Sequence, residues 1–118
     1  NGHPTVFLRE QLRARGVLTS EQLQTAEPRT RVTIAGVVTH RQRPMTAQGT
    51  TFMNVEDETG LINVVVSKGC WARHRSVARA SALMIRGRLE RSEGVVNVVA
   101  EQMVPLPVPA ANPSRDFR

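Results

Sequence analysis

The sequence predicts an all-β fold, a small five-stranded barrel carrying one helix, and three observations carry that expectation. Short runs of apolar and β-branched residues alternate with polar ones through most of the span 31–103. Two of these runs flank the turn Glu56-Asp57-Glu58-Thr59-Gly60, whose Asp, Thr and Gly have local turn chemistry, so the pair reads as a hairpin. Residues 67–81, rich in alanine and arginine with a single Trp, read as a helix between the third and fourth runs.

Short helices precede the barrel. Pro4 suits a first helical turn, Phe7, Leu8 and Leu12 share one face, and Gly16 can end the helix. Thr19 reads as an N-cap with Gln22 at the capping-box position, and Leu18 and Leu23 are spaced as a hydrophobic staple. Glu27-Pro28 closes this helical connector, residues 1–28. The first strand begins at Arg31 and contains Val32, Ile34, Val37, Val38 and Thr39, with Gly36 where a bulge or bend would fall. A polar loop over 41–49 follows, then strands at 50–56 and 61–66, the helix, and strands at 82–90 and 95–103. Strand, hairpin, helix, strand, strand is the order of the OB barrel, here residues 29–104. Residues 105–118 carry four of the seven prolines and read as an extended or disordered tail.

Composition narrows the function. Sixteen basic residues, fifteen of them arginine, oppose ten acidic ones. An arginine bias also follows from GC-rich coding, so position is more telling than the total. Between residues 28 and 89 ten basic side chains face only Glu56, Asp57 and Glu58. Such a field attracts polyanions. Cys70 is the single cysteine, which excludes an internal disulfide and fits a reducing cytoplasm. No apolar run approaches the roughly 20 residues needed to span a membrane, and the start has no signal-peptide pattern. With Asn at position 1 the sequence is expected to be cut from a longer chain. His3, His40 and His74 have no ligand-like spacing, so neither a metal nor a cofactor is expected. The acidic turn is expected to be a solvated bend, and no phosphate loop or nucleophile elbow is present.

Alternation along the strands divides inward from outward residues. Met53, Val55, Ile62, Val64, Leu83, Ile85, Leu89, Val96 and Val98 are expected in the core. Phe52, Asn54, Asn63, Arg86, Arg88 and Asn97 face out, joined by Arg41 and Arg43 from the loop after the first strand. These eight residues form the expected nucleic-acid surface, with no catalytic residue among them. OB folds bind strands across the second and third strands, where an aromatic ring can stack a base for about 1–3 kcal/mol. Phe52 either stacks in this way or packs under a loop. Asn54 and Asn63 either read a base edge or satisfy each other. Trp71 is expected as a plug at the barrel's end, and Cys70 as buried and inert.

The residues GVVTHRQRP at 36–44 and FMNVEDETGLINVVV at 52–66 closely resemble the OB domain near the C-terminus of bacterial DnaE-type polymerases, the polymerase III alpha-subunit family. The resemblance is to the error-prone, ImuC-type paralogue and covers essentially the whole chain. Supporting it are Gly2-His3-Pro4, Gly87-Arg88-Leu89-Glu90-Arg91, the run from Gly94 to Ala100, and the ending Ser114-Arg115-Asp116-Phe117. The hairpin motif alone is shared with class II aminoacyl-tRNA synthetases. In that motif the Phe at the place of Phe52 stacks a base and a Gln at the place of Asn63 bonds one; Asn63 is shorter.

The resemblance implies a damage-induced DNA polymerase of translesion synthesis and SOS mutagenesis, cytoplasmic and nucleoid-associated. Its catalytic carboxylates and Mg2+ would lie outside this segment. Its partners would be single-stranded template DNA, a Y-family-like ImuB-type protein and an ImuA-type accessory factor. The alternative expectation is a protein-interaction module, docking on the polymerase's own domains or mutagenesis partners, with Arg115 and Phe117 in the tail as contacts.

Overall fold

The computed structural model describes residues 2–106 of the chain. A 3-10 turn at Pro4–Leu8 leads into α1 (Arg9–Ala14), and α2 (Ser20–Leu23) follows. The strands are β1 (Arg31–Gln42), β2 (Thr51–Asp57), β3 (Gly60–Val66), β4 (Ala82–Ser92) and β5 (Val95–Pro105). They close into a barrel in the order β1-β2-β3-β5-β4. The β3–β5 junction is parallel and the other four are antiparallel. This is the five-stranded OB architecture that the sequence predicts.

β1 is long because it serves two partners. Residues from Arg31 to Val37 pair with β4, and those from Val37 to Gln42 pair with β2. The changeover needs a residue without a side chain: a Cβ on Gly36 would collide with the carbonyl oxygen of Glu56. The bulge itself falls two to three residues later, where the register shifts between Val38 and His40. In β4 the missing Cβ of Gly87 likewise leaves room for the Val99 carbonyl, beside a second register shift.

The alternating apolar residues fill the barrel. Ile34, Val55, Val64, Val66, Ile85, Leu89 and Val98 have essentially no exposed surface, and Met53 and Ile62 join them. The helix expected over 67–81 is two short ones, α3 (Lys68–Arg73) and α4 (Arg75–Ala78). The chain breaks between them at His74, with φ of −115°. Ser67 caps α3 by accepting from the Cys70 N–H at 3.1 Å. Trp71 is half-buried and packs on the core from this end.

The N-terminal segment packs on the barrel through more contacts than its periodicity indicates. Thr19 and Gln22 form the expected capping box, and Leu23 is buried in the main core. Leu12 and Val17 form a smaller core with Ala35, Ala82 and Leu106, while Val17 bridges to Thr33. Phe7 departs from expectation and is exposed, whereas Thr5 is fully buried. Residues 4–8 wind at three residues per turn instead of 3.6, which moves Phe7 off the face carrying Leu12.

The acidic turn also departs from expectation. Asp57 is buried: its Oδ1 accepts from Thr59 N, Thr59 Oγ1 and Gly60 N, and its Oδ2 accepts from Ser20 N at 2.7 Å. Glu58 accepts from Arg9 and from the Thr5 hydroxyl. The turn is therefore a latch holding α1 and α2 on the hairpin. Pro105 and Leu106 still belong to the barrel, since Leu106 N donates to Ala82 O. The tail expectation from residue 107 onward, with Arg115 and Phe117, lies outside the described residues.

Candidate nucleic-acid interface

The outward residues of β2, β3 and β5 border a groove of about 280 Å³. Phe52, Asn54, Asn63 and Asn97 line it, together with His40 and Gln42 from the end of β1. Strand pairing sets them in two rows. Gln42, Phe52, Val65, Val99, Arg88 and Arg31 are successive cross-strand neighbours, and His40, Asn54, Asn63, Asn97 and Glu90 form the next row. Phe52 is 43% exposed, so its ring lies at the surface and not under a loop.

The two central amides engage each other. Asn54 Nδ2 donates to Asn63 Oδ1 at 3.0 Å, and Asn63 Nδ2 reaches Val96 O at 3.4 Å. Side-chain donors spent in this way leave less to discriminate one base from another. The groove lining mixes the amides and His40 with the apolar Phe52, Met53 and Val64, and contains no Asp, Glu, Lys or Arg.

Arginine is absent from this lining, against the sequence expectation for Arg41 and Arg43. The loop expected over 41–49 starts later than the sequence indicates, because β1 runs on through Gln42, and the bulge at Thr39 then sets which way its last residues face. Up to Val38 the even-numbered residues of β1 point inward, so an unbroken alternation would send Arg41 and Arg43 out. One extra residue at the bulge reverses the faces. His40 and Gln42 then lie beside Asn54 and Phe52, and Arg41 lies opposite Met53.

The Arg41 guanidinium instead donates to the carbonyls of Ala78 and Ala80 at 2.6–3.1 Å, closing the end of α4. Burial, with the nearby charge of Arg79, lowers its pKa. Arg43 donates to Thr51 Oγ1 at 3.1 Å and lies over the Trp71 ring, 4.9 Å from its centre.

The β4 arginines occupy another wall. Arg88 pairs with Glu90 at 2.7 Å and sits on the Phe52 row beyond Val65 and Val99. Arg86 reaches Thr33 Oγ1 at 3.4 Å and lines a separate cleft with Arg15 and Gln102. Of the eight expected residues, four meet in one groove and four lie around its margins or beyond. His40 and Gln42 are the groove residues that sequence reasoning missed. Only recognition of the bulge would have found them. Among the described residues no three His, Cys, Asp or Glu side chains group as a metal site, and no helix is long and apolar enough to cross a membrane.

Residues 32–106 match the family described as an OB-fold nucleic acid binding domain. The chain belongs to that family. The chain is 53% identical over 119 residues to the Error-prone DNA polymerase of Mycobacterium bovis, covering all of the chain and 11% of that protein. The Error-prone DNA polymerase of Nocardia farcinica is 50% identical over 117 residues, covering 98% of the chain and 10% of that protein. The OB domain thus spans about a tenth of the length of the curated relatives it matches. Among solved structures, asparaginyl-tRNA synthetase from Pyrococcus horikoshii superposes with a TM-score of 0.63 at 19% identity, over 82% of this chain and 24% of that one. Aspartyl tRNA synthetase from Entamoeba histolytica does so at 0.63 and 15%, over 79% and 22%. These two likenesses are of fold. An OB domain is not itself catalytic, and it matches only a small part of the polymerase relatives.

Proposed function

We propose that this OB domain is the single-strand-binding module of an error-prone DNA polymerase acting in translesion synthesis. It holds template DNA across β2 and β3 with little preference for sequence. The observation that carries this reading is the exposed Phe52 ring at the edge of the groove, beside amides that already bond each other. A ring stacks any base, because every base has a π-face. Paired amides favour tolerance, as a polymerase that copies any template requires. Phosphate contacts then come from the arginines around the groove and not from its floor.

Fluorescence anisotropy with labelled single-stranded DNA, titrated at low and then rising salt, tests the reading. Phe52→Ala should weaken binding by about tenfold, the lower half of the roughly 1–3 kcal/mol a stacked base contributes. An absence of binding at low salt, or affinity untouched by Phe52→Ala, would overturn it in favour of a protein-interaction role.

A further inference from the structure

The barrel end covered by α3 and α4 carries a concentration of charge that the groove does not use. Arg41 and Arg43 enter it from β1 and the loop that follows; Lys68, Arg73, Arg75 and Arg79 come from α3, α4 and the residue after them. Residues 41–50 and 67–81, which supply all six, contain no Asp or Glu. Among the described residues none of the six makes an ion pair, whereas Arg9, Arg13, Arg31 and Arg88 elsewhere each hold a carboxylate. The carboxylate whose field reaches Cys70 in α3, that of Glu101, is held by Arg31 at 2.8 Å.

This patch has a fixed geometry at its centre. A cleft of about 160 Å³ is lined by Arg43, Lys68, Trp71 and Arg75, with Gly49 and Ala72. Arg43 is held from two sides, by Thr51 and by the Trp71 ring. Arg79 approaches the same ring, its guanidinium carbon 6.0 Å from the centre. The stem of Lys68 lies over Gly49, where an added Cβ would come within 3.0–3.1 Å of three of its carbons. Cations gathered without a counter-charge repel each other, and at the edge of the patch Arg79 adds to the burial that lowers the Arg41 pKa. A bound polyanion relieves the repulsion. Guanidinium forks and an ammonium group suit phosphate oxygens in particular.

We propose that this cleft is a second nucleic-acid site, in which Arg43, Lys68 and Arg75 around Trp71 take backbone phosphates of the strand that leaves the β2–β3 groove. Its place follows from chain continuity. Gln42, the groove residue paired with Phe52, ends β1, and Arg43 beyond it turns to Thr51 and Trp71 at that end of the barrel, so a strand running off this end of the groove passes from Phe52 to Arg43. The inference extends the groove reading while resting on different residues.

The test uses labelled oligothymidylates of two lengths, about 4 and about 16 nucleotides, the range of OB site sizes. The short one fills the groove, and the long one reaches the cleft as well. Lys68→Gln/Arg75→Gln should weaken the long oligonucleotide about tenfold and leave the short one within twofold. The logarithmic salt dependence for the long one should become shallower by about 1.4, at roughly 0.7 per phosphate contact on a single strand. Lys68→Glu/Arg75→Glu should weaken the long oligonucleotide further. Both residues are exposed, so circular dichroism and thermal unfolding should match the parent. Unchanged affinity and salt dependence for the long oligonucleotide would overturn the second site even if Phe52→Ala weakens both lengths. Loss in the cleft variants with no effect of Phe52→Ala would keep the cleft as a phosphate site and overturn both the groove reading and the path joining the two.

Discussion

Arg9 and Glu58, 49 positions apart in the chain, meet through two parallel contacts, Nε to Oε2 at 2.6 Å and Nη2 to Oε1 at 2.8 Å. Both side chains are largely buried, and the Thr5 hydroxyl supplies a further donor at 2.6 Å. The geometry fastens the N-terminal segment to the tip of the β2–β3 hairpin, the element that carries Phe52. Planar, two-point charge-assisted contacts of this kind are among the stronger polar interactions in proteins.

Acid should release this latch within a defined window. The Arg9 guanidinium, with help from Thr5 and the backbone, lowers the Glu58 carboxyl from its ordinary 4.5 to about 2. Because the folded value is the lower one, the latch contributes fully above about pH 4.5, and that contribution is lost as pH falls toward 2. The loss is at most about 1.4 kcal/mol per pH unit. Urea midpoints measured from pH 6 to pH 2 check this. Glu58→Gln should be less stable than the parent by about 1–3 kcal/mol at neutral pH, and the gap should narrow through the acid window. A constant gap would mean that Glu58 contributes by packing and not by charge.

Arg41 should behave as a structural residue. Its guanidinium satisfies the carbonyls of Ala78 and Ala80 where α4 gives way to β4, and Ala78 is fully buried. Arg41→Ala strands these acceptors and should cost about 1–3 kcal/mol of stability. Arg43→Ala, whose contacts are one hydroxyl and one ring face, should cost less than about 1 kcal/mol. Chemical denaturation of the two variants separates the roles that sequence alone gave jointly to both arginines.

Much of the barrel was legible because each strand buries one face. Met53 and Val55 against Phe52 and Asn54, or Ile62 and Val64 against Leu61 and Asn63, follow from alternation and the cost of burying an amide. The capping box at Thr19 and Gln22 was equally local. What alternation cannot show is its own interruption. Arg41 and Arg43 were expected in a loop, but β1 continues to Gln42, and the extra residue at Thr39 turns His40 and Gln42 toward the groove. The Glu58 latch was hidden for another reason: its partners Arg9 and Thr5 are 49 and 53 positions away, and only the fold brings them together.

Gly36 and Gly94 should respond differently to alanine. At Gly36 an added Cβ meets the Glu56 carbonyl and the Val55 side chain, and backbone cannot yield without disturbing β2. At Gly94 the space is open, but φ is +80°, in the left-handed region. Gly94→Ala should therefore cost only the conformational penalty, about 1–2 kcal/mol. Gly36→Ala should cost more, about 3 kcal/mol or above, as overpacking between paired strands. Equal losses in thermal unfolding would show that β1 can shift at its changeover from β4 to β2.

The Asn54–Asn63 pair should matter more for order than for base choice. The two residues lie directly opposite on β2 and β3, with the 3.0 Å hydrogen bond between their side chains. A double-mutant cycle of Asn54→Ala and Asn63→Ala should give a coupling of about 0.5–1 kcal/mol in stability. If the amides are spent on each other, neither variant should change the ratio of affinities for oligothymidylate and oligoadenylate by more than about twofold, against the roughly 1–3 kcal/mol that a good bidentate base contact discriminates. A larger change in that ratio would show that the pair opens to read bases when a strand enters the groove. The sequence tolerance proposed for the groove would then rest on Phe52 and the surrounding cations alone.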